Sequence, residues 1–398
     1  MPGSKRPLRL VLGMISLLFV GIIYSWSILK APLSVEFGWS PKALAFNFTL
    51  TLCFFCIGGM VSGFLSTKIS PKIRMLISAV LLFSGFFTVS RLSGNDISIL
   101  YTGYGVMTGV GSGVVYNTVI SVTTSWYPDR KGFCSGCLMM AFGFSTLILG
   151  NIAGRLIDSS FGWRDTYTLL AFVIGLAVLI LGFFVKPASD DAFPSVSGNA
   201  AESGRSDDLS PEEMLARPSF WMLFVFFILL AAVGSTAISF AKDFFLLLGA
   251  EGDTAVAIVG ILSVFNGIGR LCSGALFDAL GIRKTQFITS AVAIIAPLCA
   301  LMAVILHSFP LGAAGLCLCG FSYGFCPTAS AAFVGEFYGR KHFAVNFSLL
   351  NLILIPASFA STISGAMISS SGSYISTFVM LTAFSVCGLV INVFIKKP

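Results

Sequence analysis

The chain has 398 residues, of which 56% are hydrophobic and only 10% are charged. This composition leaves too little polar surface for a soluble globular protein of that length, so it indicates an integral membrane protein. The formal net charge of +7 would suit nucleic-acid binding in a soluble chain. The distribution of the basic residues, described below, argues against that partner.

Apolar runs long enough to cross a bilayer recur along the whole chain, and their length favours helices over the short alternating strands of a β-barrel. The predicted fold class is therefore an all-α polytopic membrane protein. Twelve spans are predicted at residues 8–29, 43–66, 73–91, 98–124, 133–156, 166–186, 219–247, 255–279, 286–306, 310–334, 343–368 and 375–396. The first run lacks a small-residue cleavage site, so we interpret it as a transmembrane helix and not as a cleaved signal.

The basic residues are distributed unequally between the two membrane faces. Of 24 lysines and arginines, 17 fall on the side that holds both termini, six fall on the other side, and Arg270 falls within a span. The positive-inside rule then predicts a multi-pass protein of the cell inner (plasma) membrane with both termini in the cytoplasm. The basic clusters are topology signals, so the expected partner is the lipid bilayer and not nucleic acid.

The second half of the chain repeats the first at a constant shift of 211 residues. The shift relates three pairs of glycines: Gly63 and Gly274, Gly109 and Gly320, Gly113 and Gly324. Because each half holds an even number of spans, both halves enter the membrane from the same side, which predicts a parallel repeat. We predict an N-terminal six-helix bundle at 1–186, a cytoplasmic linker at 187–218 and a C-terminal six-helix bundle at 219–398.

The linker is acidic and rich in small residues, so its first part is expected to be a flexible connection. Its second part contains Ser210, Pro211 and Glu213, which form a capping serine, a proline at the first helical position and a glutamate three residues after the cap. This pattern predicts a short surface helix that runs toward Arg217.

Arg270 lies about midway along the eighth predicted span. A central arginine costs about 2.5 to 3.5 kcal/mol on insertion scales and cannot lose its proton, so it requires a water-filled cavity or an anionic partner. Asp278 lies two helical turns away, about 12 Å along the axis, and is out of reach. We interpret Arg270 as a binding residue; the alternative is a structural arginine satisfied by carbonyls or by another helix.

Other chemistry-bearing residues give weaker signals. No Asp or Glu is expected in the core of a span, and the two histidines, His307 and His342, fall on opposite sides of the membrane, which disfavours an enzyme. The C-x-x-C pairs at Cys53 and Cys134 lie in apolar runs, where cysteine is usually a small hydrophobic residue. No metal, cofactor or catalytic residue is therefore expected.

The motif G-x-x-x-D-x-x-G-x-R-K from Gly274 to Lys284, together with the two halves of six spans, resembles the major facilitator superfamily. In that family the motif's carboxylate and basic residue hold neighbouring helices in one state. The resemblance implies a gating role for Asp278 and Arg283. The first copy of the motif departs from the pattern, because Thr67 stands where the acid is expected.

Four further segments narrow the resemblance to the bacterial oxalate/formate antiporter and monocarboxylate transporter group: YSWSILKAPLSVEFGWS from Tyr24, WYPDRKGFCSG from Trp126, EEMLARPSFW from Glu212 and NGIGR from Asn266. The resemblance implies that Arg270 binds the substrate carboxylate. Asn266 is one turn away, so both side chains can face one cavity.

The aromatic positions of that group's cavity match Tyr24, Tyr116 and Tyr323. These three tyrosines are predicted to orient the substrate; the alternative is that they are core or interface aromatics. Lys30 is predicted to act in gating or coupling; the alternative is an interfacial lysine that snorkels to the membrane surface.

At three positions expected in the pocket, this sequence has a different residue from the one typical of the group. Leu354 stands at the position of a second cation, Cys319 at that of a tryptophan and Ile23 at that of a glutamine. One guanidinium in a more apolar pocket suits one carboxylate, so a monocarboxylate of the lactate, pyruvate or formate type is favoured over oxalate.

The sequence thus predicts a secondary active transporter of small organic anions that works as a monomer by alternating access. An oxalate/formate-type exchanger and a non-transporting membrane sensor of the same fold remain alternatives. Asn266 stands where proton-coupled relatives have an aspartate, which weakens the case for proton symport. Symport with a proton, exchange against a counter-anion and uniport therefore stay open.

Overall fold

The computed structural model describes residues 6–94, 96–127, 131–188, 209–339 and 342–395. Within these ranges, twelve helices are long and apolar enough to cross a membrane. We call them spans 1 to 12: Arg6–Leu29, Pro41–Phe64, Pro71–Ser90, Ile97–Thr124, Cys134–Ile157, Gly162–Gly182, Pro218–Leu247, Gly252–Phe277, Ala279–Leu306, Phe309–Phe337, Val345–Ser371 and Ile375–Phe394. The predicted all-α polytopic fold is confirmed.

Local sequence sets several of the helix ends. Spans 2 and 3 each begin with a serine cap followed by proline, and the hydroxyls of Ser40 and Ser70 accept hydrogen bonds from the backbone of Ala43 and Ile73. The helix that runs through spans 8 and 9 is interrupted at Gly281, in the first turn of span 9, where a φ of 74° suits a residue without a Cβ.

The two halves repeat the same helix crossing between their second and fourth spans. A Cβ at Gly113 would collide with the carbonyl oxygen of Phe55, and a Cβ at Gly324 would collide with that of Asn266. Residues 55 and 266 are themselves 211 positions apart. The sequence shift therefore relates equivalent contacts of the two halves, and glycine is required at both crossings because the backbones touch.

The linker helix begins where the capping pattern predicts it. Pro211–Leu215 is helical, with the Ser210 hydroxyl accepting from the Glu213 backbone and the Glu213 carboxylate accepting from the Ser210 backbone. Asn346 Nδ2 donates to the carbonyl oxygen of Leu209, which ties the linker to span 11. The first part of the predicted linker, 189–208, lies outside the described residues, and the proposed domain boundaries stay a prediction.

We call the side that holds Arg6 and the linker helix the linker face, and the other side the opposite face. At the opposite face the halves pack closely along spans 2 and 11 and along spans 5 and 8. The Thr49 hydroxyl donates to the carbonyl oxygen of Ser358 at 2.8 Å, and a Cβ on Gly365 would lie 2.8 Å from the Pro41 carbonyl oxygen. The opposite face is therefore closed between the halves.

Candidate functional site

A cavity of about 610 Å³ lies between the two halves. Its lining runs from Tyr24, Arg270 and Tyr323, inside spans 1, 8 and 10, to Ser125 and Ser135 at the linker-face ends of spans 4 and 5. Among the described residues, none of the lining lies nearer the opposite face than this inner layer. The cavity is therefore open toward the linker face and closed toward the opposite face.

Arg270 is at the inner end of the cavity and is only 3% exposed. Its Nη1 donates to the carbonyl oxygen of Met139 in span 5 at 2.8 Å, and its Nε donates to Asn266 Oδ1 at 3.4 Å. Both acceptors are neutral, and no carboxylate in the described part of the chain forms an ion pair with Arg270. The guanidinium charge is thus uncompensated within the described protein and borders an open cavity.

Three predicted tyrosines line the same cavity from both halves. The Tyr24 hydroxyl is 3.2 Å from that of Tyr323, and this hydrogen bond joins span 1 to span 10 across the centre. Tyr116 packs edge-on against Phe142 with ring centroids 5.2 Å apart, and Tyr24 does the same at 5.2 Å. The three tyrosines therefore line one cavity with Arg270, and their role in binding stays a prediction.

Phe142 joins this cluster and was not predicted from the sequence. Its ring centroid is 6.0 Å from Arg270 Cζ, a cation–π distance, and it contacts Phe55 in span 2 at 5.9 Å. Phe142 is one of 39 phenylalanines in an apolar chain. Only the packing of span 5 against spans 1, 2 and 8 distinguishes it from the others.

Asn266 is near Arg270 but is fully buried and does not line the cavity. Its Oδ1 accepts from Arg270 Nε, and its backbone carbonyl packs against Gly324. In this conformation its contact with a ligand would be indirect, through the orientation of the guanidinium. Leu354 lines the cavity, whereas Cys319 and Ile23 are buried outside the lining.

Lys30 is not an interfacial lysine that snorkels, because it is 2% exposed. Its Nζ lies 2.7 Å from Asp243 Oδ2 of span 7, and it sits 4.3 Å from the ring centroid of Phe240. Asp243 lies near the opposite-face end of span 7, and its pairing with Lys30 is not predicted from the sequence.

A second ion pair links the halves on the same face. Lys242 Nζ of span 7 is 3.9 Å from Asp158 Oδ2 at the end of span 5. A third pair lies within the N-terminal half, where Arg164 binds Glu36 through two hydrogen bonds, at 2.6 and 3.1 Å. The hydrogen bond from Arg164 keeps the pKa of Glu36 below its ordinary value. Charge pairing in the described chain is thus concentrated at the closed face.

The remaining predicted gating residues lie at the linker face. Arg283 is exposed and its Nη2 donates to the carbonyl oxygen of Val393 in span 12 at 3.5 Å. The side chain of Asp278 lies outside the described residues. Among the residues that were searched, no group of three or more His, Cys, Asp or Glu side chains is arranged to hold a metal ion.

Comparison with known proteins identifies relatives over most of the chain. The chain is 26% identical over 352 residues to the uncharacterized MFS-type transporter YhjX of Escherichia coli K12, covering 87% of this chain and 84% of the relative. It is 23% identical over 355 residues to the oxalate:formate antiporter of Oxalobacter formigenes, covering 85% and 80%. It is 24% identical over 360 residues to monocarboxylate transporter 12-B of Danio rerio, covering 81% and 71%.

A solved structure shares the fold. The crystal structure of a D-xylose-proton symporter matches with a TM-score of 0.73 and 17% sequence identity, covering 98% of this chain and 96% of that one. The family model of the Major Facilitator Superfamily matches residues 10–360. The resemblance to the oxalate/formate antiporter and monocarboxylate transporter group is confirmed, and the chain belongs to the major facilitator superfamily.

Proposed function

We propose that this protein is a secondary transporter of small organic anions, most readily a monocarboxylate, and that Arg270 binds the carboxylate. The observation that carries the proposal is a buried guanidinium at the inner end of a central cavity with no described carboxylate paired to it. A guanidinium presents a planar fork of donors that matches a carboxylate in two hydrogen bonds. The names of the relatives, an oxalate:formate antiporter and a monocarboxylate transporter, support an anion of this kind.

The mechanism follows from the cost of closing the cavity. With no anion bound, closing apolar walls around Arg270 would isolate an uncompensated charge from water. A bound carboxylate neutralises that charge, so the loaded protein closes the linker face more easily than the empty one. The two halves then exchange which face is open, which is alternating access.

Lys30 has a gating role in this proposal. Its ion pair with Asp243 joins span 1 of one half to span 7 of the other on the closed face. Opening that face requires the two spans to separate, so the pair must break. The pair therefore stabilises the conformation in which the cavity is open toward the linker face.

We favour a monocarboxylate because Leu354 lines the cavity and Arg270 is the one cation among the lining residues that the structure describes. The second candidate is an oxalate/formate-type exchanger, which the antiporter relative supports. We place the protein in the cell inner membrane as a monomer, with the linker face and both termini in the cytoplasm, on the basic residues of that face. The relatives are transporters, which supports a protein without enzymatic activity.

The test is uptake of labelled lactate, pyruvate, formate and oxalate into proteoliposomes that contain the wild type, Arg270→Ala or Arg91→Ala. Arg91 is an exposed arginine at the opposite face and serves as the matched control. We expect Arg270→Ala to lower uptake at least about tenfold, the lower range for a lost charged hydrogen bond, and Arg91→Ala to leave it unchanged. Equal uptake by wild type and Arg270→Ala would overturn the proposal.

The same vesicles separate the modes of transport. Stimulation by internal unlabelled acid indicates exchange, and stimulation by an imposed pH gradient indicates proton coupling. Faster uptake of oxalate than of every monocarboxylate would replace the favoured substrate with the second candidate.

A further inference from the structure

The described charges at the linker face of the first six spans are of one sign. Within residues 6–188, every acidic residue whose side chain the structure describes lies at the opposite face: Glu36, Asp96, Asp158 and Asp165. The basic residues with described side chains at the linker face of the same spans are Arg6, Arg9, Lys68, Lys72, Arg74 and Lys186. This face of the N-terminal half therefore carries a positive potential.

The arginines of this set are engaged within the protein. Arg6 and Arg9 lie over the aromatic rings of residues 127 and 126, with Cζ 5.6 and 5.4 Å from the ring centroids. Arg74 is 4% exposed, and its Nη1 donates to the carbonyl oxygen of Ser62 at 3.2 Å. These three side chains stabilise the ends of the spans and are poorly placed to meet an outside partner.

The lysines of the set face outward. Lys68, Lys72 and Lys186 are exposed, and none of them forms an ion pair with a carboxylate in the described chain. Lys72 is also held in place, because its Nζ lies 4.3 Å from the ring centroid of Phe183 at the end of span 6. A cation–π contact positions the ammonium without neutralising it. Lys72 thus presents a fixed positive charge where spans 3 and 6 meet.

Toward the membrane centre from Lys72, spans 3 and 6 present an apolar surface. The two helices are in close contact, because a Cβ on Gly182 would lie 2.8 Å from Met75 and a Cβ on Gly175 would lie 3.0 Å from Phe83. The exposed side chains of the two spans in this region are Ile73, Leu76, Ile77, Leu176, Ile180 and Phe183. A fixed cation at the membrane boundary above an apolar strip matches the phosphate and acyl chains of a phospholipid.

Lys42 offers a comparison within the same chain. Spans 2 and 3 both begin with Ser-Pro-Lys, at residues 40–42 and 70–72, and in both the serine hydroxyl caps the helix. Lys42 is exposed too, but it lies at the opposite face, and the cation–π contacts in the described chain do not include it. The helix start is therefore common to both lysines. The ring under Lys72 and the neighbouring lysines distinguish the linker-face position.

We propose that the linker-face end of the contact between spans 3 and 6 binds a phospholipid with an anionic head group, and that Lys72 pairs with its phosphate. The acyl chains lie along the apolar strip, and Lys68 and Lys186 add to the positive potential at the head group. A zwitterionic head group is neutral overall, so the site prefers an anionic one. The inference is independent of Arg270 and of the substrate.

The experiment titrates the purified full chain in detergent with phosphatidylglycerol or with phosphatidylcholine of the same acyl chains, and native mass spectrometry counts the bound lipids. We expect the wild type to bind phosphatidylglycerol at least about fivefold more tightly, the effect of one lysine beside an anionic head group. Higher salt should reduce this preference, because exposed charges are screened. Equal affinity for the two lipids would overturn the proposal.

Three variants assign the preference to its residue. Lys72→Ala should lower the affinity for phosphatidylglycerol about fivefold and leave that for phosphatidylcholine unchanged, which also shows that the variant is folded. Lys72→Arg keeps the charge and should retain the preference. Lys42→Ala is the matched control and should alter neither affinity. Unchanged phosphatidylglycerol binding in Lys72→Ala, or an equal loss in Lys42→Ala, would contradict the assignment.

Discussion

Lys30 and Arg270 are both buried cations between the halves of this protein, and their surroundings differ. Lys30 at the closed face has a carboxylate 2.7 Å away, whereas the hydrogen-bond partners of Arg270 in the described chain are neutral and include a backbone carbonyl and an amide oxygen. Both are almost fully buried, at 2% and 3% exposure. Burial alone therefore does not explain why one is paired with an acid and the other is not.

The difference indicates two roles. A buried charge is stable when a fixed counter-charge compensates it, and Asp243 supplies that charge for Lys30. Arg270 is left available for an anion that arrives from solution. The internal repeat sharpens the contrast, because the residue equivalent to Arg270 in the first half is Gly59, which also lines the cavity. One half therefore supplies an arginine to the cavity lining where the other supplies a glycine.

The largest effect is expected from a variant in which Arg270 has a fixed carboxylate beside it, as Lys30 has. Asn266 Oδ1 already accepts from Arg270 Nε at 3.4 Å, so Asn266→Asp places a negative charge beside the guanidinium. We expect carboxylate binding at neutral pH to weaken about thirtyfold, which corresponds to a coupling of about 2 kcal/mol. The measurement is a calorimetric titration of wild type and variant with the same acid.

Asn151 offers a matched control for this substitution. It lies in span 5, outside the cavity lining, and its side chain donates to the backbone of its own helix. Asn151→Asp should bind the acid as the wild type does. If the two aspartate variants lose the same affinity, the effect is a general response to added negative charge and the proposed role of Arg270 is not supported.

The second experiment removes the carboxylate that compensates the charge of Lys30. Asp243→Asn leaves the lysine buried without an anion, so the closed face should open more often. We expect backbone hydrogen exchange in residues 24–40 and 236–250 to become about tenfold faster, as measured by mass spectrometry at constant pH.

Asp158→Asn is the control, since the Lys242 pair is buried to a similar degree but is longer, at 3.9 Å. At this distance the ammonium makes no hydrogen bond to the carboxylate, so the change in exchange should stay below about threefold. The double substitution Lys30→Asp with Asp243→Lys should restore the wild-type rate. Unchanged exchange in Asp243→Asn would show that the pair does not hold this face closed.

The third experiment adds a second cation to the lining of the cavity. Leu354→Lys places an ammonium on the lining, where a dicarboxylate could pair with it and with Arg270. We expect the ratio of oxalate to lactate uptake to rise about fivefold, within the range for a solvent-accessible charge pair of about 1 kcal/mol. Leu352→Lys adds the same charge at a neighbouring lining position. An equal rise in that variant would rule out a specific role for position 354.

Much of the architecture follows from the sequence by simple rules. Apolar length predicts the twelve spans, and the shift of 211 residues predicts the matching crossings at Gly113 and Gly324. Arg270 was recognisable because an arginine in an apolar run carries an insertion cost that needs a compensating feature. These features depend on local composition or on regular spacing.

The remaining features depend on which helix faces meet. The pairing of Lys30 with Asp243 joins residues of different halves, and no periodicity in a helix buried on all sides indicates its orientation. For the same reason the sequence predicts that Asn266 faces the cavity, whereas in the structure it is buried and does not line it. Phe142 has no distinguishing sequence signal among the other phenylalanines. Contacts of this kind depend on how the spans pack against one another, which the sequence pattern of a single span does not determine.

The most direct test of the account is equilibrium binding of labelled lactate, pyruvate and phenylacetate to the purified wild type, Arg270→Ala and Arg91→Ala. Binding avoids the steps of opening and closing, so it reports on the site alone. The account predicts saturable binding of at least one acid to the wild type and to Arg91→Ala. It also predicts affinity about tenfold to a hundredfold lower in Arg270→Ala, the range for a charged hydrogen bond. Equal affinity in wild type and Arg270→Ala would contradict the claim that the unpaired arginine is the anion site.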